Sequence, residues 1–393
     1  MNATGRGVSA VILGIVLWSF CLRPIPIVQN RKNLFNHTNP YIAVVTGGSR
    51  GSGRGFVWGL TEAGATVYAT GRTEQALIDT CKKAPGPGRC LYRVVDSSND
   101  DELDHFFQRL SIETNGTIDL LVNNAYSGLG FSRRNKMLGR PFWETGEALY
   151  DAVHDVGVRS HYKASVLAVR MMLKKTGDAP RKRRGLIVNT NSLGCLIYGI
   201  SVPYGMGKCA VDKMTSGMAM ELGGSFSSID VVSWWAKEPM QTEEIRLGAV
   251  DEGRGPRRGA APGLNWLRFD GLHDTALAGT LLMEGRALAA FARDDMRYHF
   301  SGLAVQSSQM AYRYGIRDER GLRPPPLLSV KYVVFLLAHW IEPVRQFIAT
   351  PNGTALARPS QRFIFGTLPD VAIPQWLFKI ISGNPVTIQW PIS

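Results

Sequence analysis

Tyr204 and Lys208 stand four residues apart in PYGMGKCAVDK, residues 203–213. In a helix this spacing puts the two side chains on one face, a turn apart. A free phenol titrates near about 10, and a neighbouring ammonium group favours its ionised form. Such a pair suits a group that gives a proton to a developing alkoxide, or takes one in the reverse direction. The alternative is a solvent-facing pair, and the rest of the constellation decides between them.

A second group of residues addresses an anion. TGGSRGSGRG begins at Thr46, directly after the apolar run YIAVVT and before a helical pattern. Gly47 lets the chain turn tightly, Gly51 lets backbone approach a pyrophosphate, and Gly53 allows close packing of helix on strand. Ser49 and the amides of the helix start face the phosphates. A glycine loop alone is a weak signal, and its strand-loop-helix setting makes it a dinucleotide-binding motif. The second predicted strand ends in Thr70-Gly71-Arg72, where an NAD site would place a carboxylate. With Arg50 it offers two cations to a 2′-phosphate, so NADP(H) is the expected cofactor.

These residues need a scaffold at strand ends. From residue 41, strand-like runs (YIAVVT, TVYAT, CLYRVV, IDLLVN, GLIVNT, IDVVSWW) alternate with helix-length segments to about residue 240. The pattern predicts an α/β fold, a Rossmann-like doubly wound parallel sheet in a single domain. Phe56, Val57, Leu60 and Ala63 lie on one face of the first helix, which Gly64 stops. FSGLAVQSS reads as a last strand. The division is 1–38 as an apolar anchor or targeting segment with linker, 39–325 as the domain, with a variable substrate region at about 243–300, and 326–393 as a C-terminal extension.

The constellation resembles the short-chain dehydrogenase/reductase family. The glycine loop, NNAYS at 123–127, Ser192 and Tyr204-x-x-x-Lys208 occur in that family's order. RNKMLGRPFWET, VGVRSHY, VPYGMGKCAVDK, QTE at 241–243 and YGIRDERG at 314–321 are similar to the branch termed dehydrogenase/reductase family member 1. The resemblance implies that Ser192 orients a substrate carbonyl and that Lys208 also holds the nicotinamide ribose. It implies that Asp96 lies near the adenine, that Asn123 and Ala125 border the cofactor with Asn123 steadying the central strand, and that Thr242 contacts the carboxamide. It further implies NADP(H)-dependent reduction of a lipophilic ketone or aldehyde, such as a steroid or xenobiotic, at the endoplasmic reticulum, with homo-oligomers usual. Two positions depart from the pattern. Asp155 stands where the family has a water-positioning asparagine, and a carboxylate near Lys208 would oppose phenolate formation. Residues 236–239 replace the family's Pro-Gly after the sixth strand. These departures motivate the alternative of a catalytically impaired nucleotide-binding scaffold or sensor at a membrane.

Composition frames these readings. The 393 residues carry 45% hydrophobic and 20% charged side chains, as a globular protein does, and a net charge of +13 suits an anionic surface or ligand. No recognised nucleic-acid module accompanies the charge. The five cysteines lack metal-ligand spacing and do not form a disulfide framework, which points to a reducing compartment. Cys195 reads as packing, and the seven histidines are too dispersed for a metal site. The uncharged run at 8–22 is an uncleaved anchor, a cleaved or organelle-targeting segment, or a buried helix. The positive residues Arg23, Arg31 and Lys32 after it favour a cytosolic domain. Sequons at Asn36, Asn115 and Asn352 would report a lumenal one. The aromatic runs at 330–341 and 373–382 suit a membrane interface or packing on the domain equally.

Overall fold

The computed structural model describes residues 41–174, 185–195, 200–223, 228–236 and 280–321. Seven strands form one parallel sheet in the order β3-β2-β1-β4-β5-β6-β7. They are β1 (Ile42–Val45), β2 (Thr66–Gly71), β3 (Arg89–Val94), β4 (Leu120–Asn123), β5 (Gly185–Asn191), β6 (Ile229–Trp235) and β7 (Ala304–Gln306). The predicted strands all appear, and the order makes the fold the expected doubly wound α/β sheet. The order reverses between β1 and β4, and there the connections leave toward opposite faces and open a crevice at the carboxyl edge.

The sheet is apolar on both faces because both are covered. Ala43 and Val45 of β1 join Phe56, Leu60, Val188, Trp234 and Phe291 in one core. Ile42 and Val44 point the other way, into a core with Leu103, Phe107, Leu121, Ile187 and Met172. This two-sided burial is why the strands read as continuous apolar runs. The first core is covered by α1 (Gly51–Glu62), α8 (Leu281–Ala292) and α9 (Ser307–Arg313). The second lies under α3 (Asp100–Glu113) and α6 (Ser160–Lys174), and α7 (Val202–Leu222) packs along β6. Between them run α2 (Glu74–Lys82), α4 (Gly128–Arg134) and α5 (Phe142–His154).

Two features differ from expectation. Cys81 at the end of α2 and Cys90 in β3 form a disulfide with Cα atoms 5.1 Å apart, so the reading without disulfides is corrected. Strand β3 brings Cys90 back beside the helix that precedes it, and spacing in sequence did not reveal that return. The second feature is α8, which lies inside the segment read as variable. Gly55 and Gly59 of α1 meet Gly285 of α8 backbone to backbone, and a Cβ on Gly285 would lie 1.9 Å from the Gly55 carbonyl oxygen. Among the described residues no helix is long and apolar enough to cross a membrane, and no group of side chains could hold a metal ion. The segment at 8–22, the loop at 237–239 and the aromatic runs near the C-terminus lie outside the described residues.

Candidate active site

The site residues come from the carboxyl ends of β1, β2, β4 and β5 and from α7. Strand β1 runs out at Val45, and Thr46 ties the loop to β4 by accepting the amides of Asn124 at 2.9 Å and Ala125 at 3.1 Å on Oγ1. Gly47 turns the chain with φ +65°, and a Cβ there would lie 2.8 Å from the Ala125 Cα. Gly53 has its hydrogen where a Cβ would sit 2.2 Å from the Gly47 carbonyl oxygen. The loop is therefore held in one shape by packing, with the unpaired amides of the first turn of α1 behind it. Arg54 adds a clamp, donating from Nε and Nη2 to the Ser49 carbonyl oxygen at 3.2 and 2.9 Å.

Arg50 precedes α1 and Arg72 follows β2, and both are exposed at the same edge of the sheet. Asp96, two residues past β3, accepts from the Ser98 amide and hydroxyl at 2.9 and 2.7 Å, which fixes the turn after that strand. Asn123 at the end of β4 is fully buried and donates to Asn189 Oδ1 at 2.8 Å and Ser165 Oγ at 2.8 Å. It ties β4 to β5 and α6. A helix N-terminus, a loop shaped by glycine and two exposed guanidinium groups fit a dinucleotide phosphate. Thr242 lies outside the described residues.

Ser192 follows β5, and its Oγ is 2.5 Å from the Tyr204 hydroxyl. The Gly194 amide donates to the same Oγ at 3.1 Å. Ser201 caps α7 by accepting the Tyr204 amide at 3.3 Å, so the first turn of the helix presents the phenol to Ser192. Lys208 lies with Nζ 5.7 Å from the Tyr204 ring centroid and 5.3 Å from that of Tyr126, and it donates to the Thr190 carbonyl oxygen at 3.3 Å. The sequence thus foresaw the juxtaposition of Ser192, Tyr204 and Lys208.

The electrostatics correct one expectation. Burial pushes the Tyr204 phenol up to about 12, against the opposing hydrogen bond from Ser192. Burial also lowers Lys208 to about 8, countered in part by Cys195 and Asp212. Burial therefore sets the direction of both shifts, and Tyr204 is held as a neutral donor. Asp155 is not among the charged groups that act on Lys208. It begins a π-helical turn, Asp155–Arg159, after α5, and its side chain is exposed. The carboxylate acting on Lys208 belongs to Asp212, one turn further along α7.

Asp212 is one of several residues to which the sequence reading gave no role. Asn191 Nδ2 donates to Asp212 Oδ1 at 2.6 Å and to the Lys208 carbonyl oxygen at 3.0 Å, and Ser233 Oγ donates to the same carboxylate. These bonds lock α7 to β5 and β6 under the lysine. Its spacing of four residues from Lys208 was the available signal. His161 is buried, donates from Nε2 to the Ala125 carbonyl oxygen at 2.9 Å, and is held down at about 3 by burial and by Lys208. It is therefore neutral near pH 7. Tyr126 makes edge-to-face contact with Tyr204, centroids 5.8 Å apart.

Comparison with known proteins agrees with this geometry. Residues 41–233 match the family model for short chain dehydrogenase. The chain is 35% identical over 307 residues to "Dehydrogenase/reductase SDR family member 1" of Homo sapiens, covering 75% of this chain and 88% of the human protein. It is 31% identical over 182 residues to "Carbonyl reductase [NADPH] 2" of Sus scrofa, covering 46% of this chain and 65% of that protein. The fold is shared with the Pseudomonas aeruginosa RhlG/NADP active-site complex, with TM-score 0.55, 21% identity, and coverage of 71% of this chain and 97% of that one. The loop at the switch point, the Ser192, Tyr204 and Lys208 cluster and these likenesses agree: the chain belongs to the short-chain dehydrogenase/reductase family, in the branch of dehydrogenase/reductase family member 1, an oxidoreductase family that uses a nicotinamide cofactor.

Proposed function

We propose that the protein is an NADPH-dependent reductase of ketones or aldehydes in lipophilic molecules, with Tyr204 as the general acid. The observation that carries this reading is the 2.5 Å approach of Ser192 Oγ and the Tyr204 hydroxyl. The two hydroxyls sit side by side, and a carbonyl oxygen that enters between them exchanges their mutual hydrogen bond for one from each. The bound nicotinamide supplies the hydride. Tyr204 then protonates the oxygen, and the Lys208 ammonium stabilises the phenolate left behind. A phenol near about 12 is protonated throughout the neutral range, and a lysine near about 8 is mostly charged at pH 7. Both groups thus stand in the states that reduction requires.

NADPH is preferred in this reading because Arg50 and Arg72 are exposed at the carboxyl edge of the sheet, and β2 ends in Gly71-Arg72 without a carboxylate at that position. Titration of the full chain with NADPH and with NADH, read by nicotinamide fluorescence, tests it. Tighter NADPH binding that is lost in Arg50→Ala/Arg72→Ala supports the assignment. Equal affinities for both nucleotides defeat it. The scaffold alternative rested partly on Asp155, and the reductase reading leaves that exposed residue without a part in the chemistry.

Membrane association is part of the proposal. Phe142 and Trp143, at 60% and 73% exposure with ring centroids 5.3 Å apart, follow the exposed Arg134, Lys136 and Arg140 in the sequence. Exposed aromatics with cations suit an anionic lipid surface and a substrate drawn from it. The Cys81–Cys90 bridge favours an oxidising compartment, so we place the domain on the lumenal side, opposite to the side favoured by the charges around residues 8–22.

A further inference from the structure

Lys208 is enclosed by groups from four directions. Tyr204 and Asp212 share its helix, Cys195 comes from the turn after β5, His161 from α6, and Tyr126 from the segment after β4. Among the described residues, only Tyr126 offers it a ring at 5.3 Å while also touching Tyr204 edge to face, at 72° between ring planes. The chain makes room for this ring at two glycines. A Cβ on Gly128, at the start of α4, would lie 2.4 Å from the Tyr126 hydroxyl oxygen. A Cβ on Gly157, inside the π-helical turn, would lie 3.1 Å from the ring. Two separate elements therefore omit side chains where the tyrosine stands.

We propose that Tyr126 is a positioning residue of this site, whose ring face holds the Lys208 ammonium beside the Tyr204 phenol and keeps that lysine charged. The inference rests on the reductase reading for its purpose, although the contact exists without it. An ammonium stripped of water loses the hydration that stabilises its charge, and the negative face of an aromatic ring restores part of it. Burial pulls Lys208 toward its neutral form, and an aromatic face lying over the ammonium group acts against that pull. His161 adds no competing charge because it is neutral. The hydroxyl of Tyr126 is not needed for this role, whereas its ring is.

The test compares Tyr126→Phe, Tyr126→Leu and Tyr126→Met in the full chain. The titration of Lys208 is read by NMR of lysine labelled with carbon-13 at Cε, with the resonance assigned by its loss in Lys208→Met. Phenylalanine should leave the midpoint where it is in the wild type. Leucine and methionine keep bulk but remove the ring face, and should lower the midpoint by about one pH unit. The alkaline limb of kcat should move the same way. An unchanged or raised midpoint in both aliphatic variants overturns the proposal, and so does a phenylalanine variant that behaves like leucine. Because the lysine itself is observed, a protein that turns over no carbonyl would refute the reductase reading while leaving this result to stand alone.

Discussion

Lys208→Met removes the ammonium group from a site that penalises it, and the structure gives the size of that penalty. The lysine titrates near 10.5 in its ordinary state and at about 8 in the fold. At 1.36 kcal/mol per unit, a shift of this size makes the buried charge cost about 3 kcal/mol near pH 7. The hydrogen bond from Nζ to the Thr190 carbonyl oxygen is lost in the variant, which returns about 1 kcal/mol. The net expectation is a gain of about 1–2 kcal/mol, or a Tm raised by several degrees. The sign depends on pH in a defined window. Below about 8 the wild type carries the whole penalty, because the unfolded lysine binds a proton more tightly than the folded one. As pH rises from about 8 to about 10.5 the wild type gains stability, and the advantage of the variant disappears. Thermal melts of both proteins at pH 7 and pH 10.5, alongside turnover, read all of this. A variant less stable than the wild type at pH 7, or an advantage that persists unchanged at pH 10.5, refutes the reasoning.

Ser192→Ala removes one of the two paired hydroxyls, and kcat should fall by roughly 10- to 100-fold with nucleotide affinity unchanged, as stopped-flow and binding titrations can establish. Gly285→Val forces α8 away from α1 at the Gly55 carbonyl, and a cost of about 3 kcal/mol should appear as a large fall in the urea midpoint. The lumenal placement predicts that Cys81 and Cys90 resist alkylation until reduced. It also predicts that the exposed Asn115 carries a glycan whose removal shifts the electrophoretic band, whereas free thiols without a glycan place the domain in the cytosol.

What the sequence made legible follows from locality. The central strands were visible because they are buried on two faces, so Ile42–Val45 reads as an uninterrupted apolar run and Ile229–Trp235 as one broken only by Asp230 and Ser233. The glycine loop and the Tyr204 and Lys208 pair were visible because each lies within one element, where spacing fixes direction. The hub of Asn191, Asp212 and Ser233 joins three elements, and no local pattern predicts that they meet. The same reason hid the bridge between Cys81 and Cys90 and the glycine contact of α1 with α8. Charge at the site was misjudged differently. The sequence shows that a lysine neighbours a tyrosine, but the depth of burial decides which effect is larger, and burial is a property of the assembled fold.

The most direct test of the account uses NADPH carrying deuterium at the transferable position of the nicotinamide, a series of lipophilic ketones and aldehydes, and mass spectrometry of the products. The account predicts deuterium on the carbinol carbon with the wild-type chain. In Tyr204→Phe it predicts a rate at least ~100-fold lower with NADPH binding retained. Labelling undiminished in Tyr204→Phe, or no labelled alcohol from any carbonyl while NADPH binds, would contradict it.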